Sequence, residues 1–407
     1  MNKNIWIINQ YAGSIHHGKE YRSPSIAREL VKKGYDVTII SASHSHHFKN
    51  APKISGNYTL TDIDGVKYLW IKTGNYPDSK SYKRLLSMFQ FLIKCFFIPI
   101  KKLNKPGYII VSSPSPLPIL NGIYFKKKFN AKLLFEVRDL WPLSVIELGN
   151  MSPKSLFIRF LSYIEKTAYK NSDLVISLLS NAKEYMVSQG LEAKKFLCVP
   201  NGIDLKLLNT RKEVPISITK QFDTSKFIIG YAGALGIANN LYALIDAAEL
   251  LKDKEEIEFV LLGGGSEETK LKEYANKKKL NNIIFPGSVA REEVHNTLEY
   301  FDICYLGLQK SALFQYGVSP TKLYDYMAVA KPILYAIDSG NHPVKDANCG
   351  IEVNTANPKD IADAILKFYK MDIKQRKQLG TNGYNTLVDN YTFDKLTEKI
   401  IENLETL

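Results

Sequence analysis

Twelve short apolar runs alternate with helical segments along this chain, and that alternation leaves few folds open. In the first half the runs fall at residues 5–9, 37–41, 109–112, 133–137, 174–177 and 196–200. In the second half they fall at 227–231, 259–263, 283–287, 303–308, 332–335 and 350–353. Helical segments lie between them, clearest at 24–33 and 156–170, then at 241–251, 267–279, 292–300, 320–330 and 358–369. Strand, helix, strand in repetition implies parallel sheets covered on both faces. At 407 residues the chain exceeds one ordinary core, so two such domains are expected. Ligands of open α/β sheets settle at the carboxyl ends of the strands, so the expected site is a cleft between the two.

One stretch departs from the pattern. Residues 56–72, rich in Tyr, Thr and Gly, read as a hairpin turning at 62–65. Asp62 and Asp64 there are explained by the turn at Gly65 rather than by a metal. His44, His46 and His47 are too close in one loop to make a tetrahedral site unaided. No metal is expected. Cys95, Cys198, Cys304 and Cys349 are scattered, without a paired spacing, and read as reduced core residues. The first strand begins almost at once, which leaves no room for a signal peptide. Domains are expected at 1–204 and 205–390, with 205–224 as a polar linker and 391–407 as a terminal helix.

Charge separates the halves. Residues 1–190 hold 27 of the 54 Lys/Arg but only 12 of the 41 Asp/Glu, giving +15 there and −2 in the rest. A basic half suits nucleic acid, an anionic membrane or a phosphorylated substrate. No helix-turn-helix, zinc finger or RNA-binding aromatic pattern accompanies it, so nucleic acid is not an expected partner. Residues 83–102 place Phe, Leu and Ile between Lys-Arg and Lys-Lys, interrupted by Gln90, Lys94 and Pro99. That run is too broken to span a bilayer but fits a helix lying in its interface, or a buried crossover helix.

The most informative motif is residues 319–332, SPTKLYDYMAVAKP. A Ser-Pro-Thr turn opens a short helix that must end before Pro332. Its free amides and dipole make an anion site, Lys322 stands in the first turn, and Asp325 follows three residues later. Amides with an ammonium suit a diphosphate; a carboxylate one turn on suits a ribose diol.

This stretch resembles the donor-binding helix of glycosyltransferase family 4, retaining enzymes with the GT-B fold of two Rossmann-like domains facing across a cleft. Asp325 falls on the second glutamate of that family's Glu-x7-Glu motif, which holds the ribose; the first glutamate position is Gly317. Gly18 with its following helix, VPNGID at 199–204, GYAG at 230–233, LLGGG at 261–265 and FPGSV at 285–289 follow in the family's order. FEVRDLWP at 135–142 is similar to a subgroup that builds bacterial surface polysaccharide, O-antigen or capsule. By this resemblance the diphosphate-neutralising Arg and Lys of the family are replaced by Ala234 and Asn239, and Lys322 and Arg291 become the substitutes. Arg138 stands where the family often has histidine. The last helical segment, 392–404, would cross back to the first domain.

The resemblance gives Arg138, Lys322 and Asp325 as the catalytic candidates. Donor contacts are expected from Gly18, Gly264, Gly287, Val289, Arg291, Ser319, Pro320 and Thr321. On the acceptor side stand His17, Glu136, Asp139, Trp141 and Glu147. The expected activity is transfer of an N-acetylated or deoxy hexose from a UDP-sugar, with no other cofactor, to a lipid-diphosphate-linked saccharide. It would take place in the cytoplasm, peripheral on the inner face of the plasma membrane. A UDP-sugar 2-epimerase and a non-catalytic assembly protein of the same fold stay open as alternatives.

Overall fold

The computed structural model describes every residue except 1, 15, 19, 20, 79, 80, 150, 355 and 356. It divides into two compact units, residues 1–201 with 393–407, and residues 202–392.

The first unit carries strands β1 (Asn4–Ile8), β2 (Asp36–Ala42), β3 (Tyr58–Ile63), β4 (Val66–Ile71), β5 (Tyr108–Ser112), β6 (Lys132–Val137), β7 (Leu174–Ser177) and β8 (Phe196–Cys198). Its helices are α1 (Arg22–Lys32), α2 (Tyr82–Cys95), α3 (Ile119–Phe129), α4 (Leu143–Gly149), α5 (Leu156–Asn171) and α6 (Lys183–Ser188). The strands form one sheet in the order β3-β4-β2-β1-β5-β6-β7-β8. All pairs are parallel except β3 with β4, the hairpin, whose turn puts Asp64 and Gly65 in the left-handed region. The central strands β1 and β5 are buried almost throughout, which is why they read as unbroken apolar runs.

The second unit carries β9 (Phe227–Ala232), β10 (Ile257–Leu262), β11 (Ile283–Gly287), β12 (Ile303–Gly307), β13 (Ile333–Ala336) and β14 (Gly350–Glu352). Its helices are α7 (Ile216–Thr219), α8 (Leu241–Leu250), α9 (Glu268–Lys277), α10 (Arg291–Leu298), α11 (Thr321–Ala328), α12 (Pro343–Asp346), α13 (Pro358–Lys370) and α14 (Ile373–Asn390). Its sheet is wholly parallel, in the order β11-β10-β9-β12-β13-β14. That is the doubly wound arrangement, with the strand order reversing between β9 and β12 and a ligand crevice expected at their carboxyl ends.

Two features differ from the sequence reading. The stretch 205–224 is packed rather than a loose linker: it forms a 3-10 turn and α7, and buries Ile218 and Phe222 in the second unit's core. Helix α14 was not expected, because its sequence is polar and holds Gly380 and Gly383. Those glycines let it lie against the end of α11, where a Cβ at 380 would run into the Ala330 carbonyl. The C-terminal helix α15 (Phe393–Leu404) packs on α1 and adds Phe393, Leu396, Ile400 and Leu404 to the first unit's core.

Candidate nucleotide-sugar site

The second unit builds a backbone shelf at the carboxyl ends of β9, β10 and β11. The turn after β9 is tied to the turn after β10 by Gly233 N–H to Leu262 O and Leu235 N–H to Gly264 O, both 2.9 Å. The next step is Gly263 N–H to Gly287 O, 2.7 Å. Side chains would hold these layers apart: a Cβ on Gly263 would strike the Gly233 carbonyl, and one on Gly265 the Leu235 carbonyl. The shelf is therefore made of peptide groups, with Gly264, Gly287 and Val289 half-buried along it.

Helix α11 opens at the edge of this shelf. Pro320 is its N-cap, with φ −71° and ψ 132°, values that its ring favours. The approach is pinned by Asn341, which accepts from Val318 N–H at 2.8 Å and donates to Val318 O at 2.9 Å. Ser319 does not cap the helix; its hydroxyl pairs with the Tyr324 hydroxyl at 2.9 Å. Thr321 is exposed at the first helical position, and Ser319 and Pro320 are half-buried.

Lys322 reaches back from α11 to the turn after β9. Its Nζ donates to Asn239 Oδ1 at 2.7 Å and stands 4.8 Å from the centre of the Tyr231 ring. Asn239 and Tyr231 in turn both donate to the Ala234 carbonyl. A Cβ at Gly233 would run into Lys322 Cε, so the glycine makes room for the ammonium. Burial lowers the Lys322 pKa to about 8, with Asp325 pulling the other way.

Asp325 is 7% exposed and both its oxygens are engaged. Arg291, at the start of α10, grips it with two bonds of 3.0 and 2.6 Å, and His295 Nε2 lies 2.8 Å from Oδ1. Burial alone would raise its pKa; the His295 hydrogen bond and the Arg291 charge outweigh that and hold it below the usual value. An ionised carboxylate only accepts, so His295 carries its proton on Nε2. A carboxylate offers about four lone-pair positions, and only Oδ2 keeps one free of these partners. Arg291 is therefore committed to Asp325 in this arrangement and is not a free diphosphate ligand.

At the position of the family's first glutamate, Gly317 has φ 93°, and it donates to the Phe314 carbonyl, as does Gly340. Beside these turns is an open cavity of about 450 Å³ lined by Lys310, Ser311, Gln315, Asp338 and Ser339.

Gly18 makes an isolated antiparallel bridge with Phe48, close enough that a Cβ would strike the His47 carbonyl. His17 is half-buried, its Nδ1 2.7 Å from Ser14 Oγ and its ring 4.9 Å from that of Trp70; burial, then the neighbouring His16, lowers its pKa. His44 and His46 both engage Tyr76. Arg138, Asp139 and Trp141 follow β6 at its carboxyl end, with Arg138 and Trp141 half-buried and Asp139 exposed. Glu147 is exposed on α4.

Glu136 is a correction. It is 4% exposed and its carboxylate is taken by Arg22 Nε at 2.9 Å and Ser112 Oγ at 2.6 Å. Arg22 also donates to the Val199 and Pro200 carbonyls, so the pair ties β6 to α1 and to the chain after β8. Glu136 is thus held in a core ion pair with Arg22, and that structural role accounts for its position without an acceptor. Sequence reasoning missed Arg22, His295, Tyr231 and the positive use of Asn239. Only His295 left a trace, lying four residues after Arg291 on one face of α10.

Family models match both halves of the chain. Residues 24–207 match the model described as Glycosyltransferase Family 4, and residues 216–386 the one described as Glycosyl transferases group 1. The chain is a glycosyltransferase of the GT-B fold. WcaI of Escherichia coli K12, named as a colanic acid biosynthesis glycosyl transferase, is 22% identical to the enzyme over 74% of this chain and 75% of its own. Among solved structures, a sucrose-phosphate synthase of Thermosynechococcus elongatus superposes with a TM-score of 0.74 at 16% identity, covering 99% of this chain and 98% of its own. HepE of Anabaena, in complex with UDP, gives 0.68 at 14% identity, covering 99% and 100%.

Proposed function

We propose that this glycosyltransferase moves an N-acetylated or deoxy hexose from a UDP-sugar to a lipid-diphosphate-linked saccharide in cell-surface polysaccharide synthesis, with retention of anomeric configuration. The observation that carries the donor half of this reading is the placement of Lys322. Its ammonium occupies the loop at Ala234 and Asn239, where family 4 by resemblance carries its own cations, beside the amides that open α11. Fixed cationic and amide donors at that point stabilise a leaving diphosphate as its bond to the sugar breaks. The UDP complex of HepE and the name of WcaI support the nucleotide and the polysaccharide parts of the reading.

In this mechanism the diphosphate lies against the first turn of α11 and Lys322. One ribose hydroxyl donates to the remaining lone pair of Asp325 Oδ2, and the base rests on the shelf at 287–289. Arg138 is the cation on the acceptor side. The leaving phosphate oxygen takes the acceptor's proton, so positioning and electrostatics replace a dedicated base. The sugar hydroxyls lack the family's first glutamate; Lys310, Ser311, Gln315, Asp338 and Ser339 of the neighbouring cavity are polar groups that could meet them instead.

A lipid-linked acceptor calls for the bilayer surface. No helix among the described residues is long and apolar enough to cross a membrane. Helix α2, basic at both ends with Phe97 73% exposed beyond its last turn, is the element proposed to rest on anionic lipid. The test is a panel of radiolabelled UDP-sugars incubated with the protein and lipid-linked acceptors. Transfer of one sugar with its anomeric configuration kept, read by NMR of the product, is the expected result. Epimerisation of donor alone would overturn the reading, as would UDP binding with no transfer to any acceptor.

A further inference from the structure

Two helices of the first unit turn apolar side chains outward as well as inward. Helix α2 buries Ser87, Met88, Phe91, Leu92 and Cys95. On its other side, and just past its end, Tyr82, Leu86, Ile93 and Phe97 are 72, 54, 57 and 73% exposed. Their spacing of four, seven and four residues keeps them on one stripe. Helix α5 repeats the arrangement. Leu156, Phe160 and Tyr163, at i, i+4 and i+7, are 81, 38 and 66% exposed, whereas Ile158, Leu161 and Ile164 are buried. Helix α3 packs against both, and its Tyr124, 40% exposed, meets Phe96 edge-on beside Phe97. A helix on the surface of a soluble fold ordinarily presents polar residues outward.

The charge around these helices is one-sided. From residue 79 through residue 135 there are 57 residues without a single Asp or Glu, and eleven Lys or Arg. Lys83, Lys101, Lys102, Lys127 and Lys128 are exposed within that stretch. Helix α5 adds exposed Arg159, Lys166 and Lys170, and its one acid, Glu165, is buried against Tyr169 and Tyr185.

We infer that α3 and α5 join α2 in one docking face for an anionic lipid bilayer. The three helices lie along the surface, with the apolar stripes among the headgroups and the cations meeting lipid phosphate. This extends the membrane reading above, on which it rests, from one helix to three. Charge selects the occupant: a second copy of the chain would set this cationic face against itself, whereas anionic headgroups neutralise it.

The experiment is co-sedimentation of the full-length protein with phosphatidylglycerol–phosphatidylcholine vesicles and with pure phosphatidylcholine. Wild type is compared with L156S/F160S/Y163S on α5 and with L86S/I93S/F97S on α2. These side chains are exposed, Phe160 least of them at 38%, so melting temperatures are read alongside and both variants are expected to stay folded at the assay temperature. Wild type binds the anionic vesicles, and each triple variant lowers the partition coefficient by about tenfold or more, with UDP affinity unchanged. If only the α2 variant loses binding, the three-helix face is wrong and the membrane reading stands. If wild type ignores anionic vesicles, both fall. A wild-type dimer in sedimentation velocity that the α5 variant dissociates, without change in vesicle binding, would assign the face to a second copy and overturn the inference.

Discussion

The lowered pKa of Lys322 makes donor affinity depend on pH in a calculable way. Free enzyme holds this lysine near 8 instead of 10.5, because burial disfavours the ammonium. A bound diphosphate restores the charged form, so binding above pH 8 must be accompanied by proton uptake. With the bound pKa back at its ordinary value, Kd is almost flat below pH 7.5 and rises tenfold per pH unit above 8. Between pH 7 and pH 9 the expected weakening is about tenfold, or ~1.4 kcal/mol. Isothermal titration of UDP across that range measures it, and buffers of different ionisation enthalpy count the proton. Lys322→Arg is the control, since guanidinium stays charged throughout; titration of the uracil ring affects both proteins alike. A flat wild-type profile, or an equal slope in the arginine variant, would refute the assignment of Lys322 to the diphosphate.

Three further outcomes follow from the same geometry. Asp325→Asn keeps the shape but removes the charge that anchors Arg291 and His295; stability in urea should fall by about 1–2 kcal/mol, since Arg291 is partly solvated, and donor KM should rise about tenfold. Because the folded pKa of Asp325 is depressed, its stabilising contribution is full above the unfolded value near 4 and is lost as pH falls through the folded one. An Asp325→Asn melting curve should therefore converge on wild type at low pH. Glu136→Ala strands the Arg22 guanidinium inside the first unit and should cost about 3–5 kcal/mol in urea while UDP affinity stays within twofold; a changed UDP affinity with normal stability would restore Glu136 to a binding role. Gly380→Ala should lower stability by about 1–3 kcal/mol by forcing α14 away from Ala330, read as a shifted urea midpoint.

The strands were legible because both faces of each sheet are covered, so their residues need not alternate. Runs such as 174–177 and 283–287 coincide with β7 and β11. Helix α14 was not legible: its stability comes from a glycine-mediated approach to α11, which leaves no apolar stripe in the sequence. The site shows the same division. Glycines that let backbones touch, and a proline that opens a helix, mark their positions locally. The partners of Asp325 and Glu136 do not, because Arg291 is 34 residues away and Arg22 is 114. Glu136 in particular has the residue type of an acceptor contact and the position of one; only its inward direction on β6 reveals an ion pair. Asn239 looked like a lost cation and instead receives the ammonium of Lys322, which the chain supplies from another helix.

The start of α11, with Lys322 held over the turn after β9, is proposed to grip a nucleoside diphosphate. Calorimetric titration of UDP into wild type and into Lys322→Met at pH 7 tests it most directly. Micromolar binding by wild type and a loss of about tenfold or more in the variant, with the melting temperature unchanged, is the predicted result. Equal affinity in the two proteins, or no UDP binding by wild type, would contradict it.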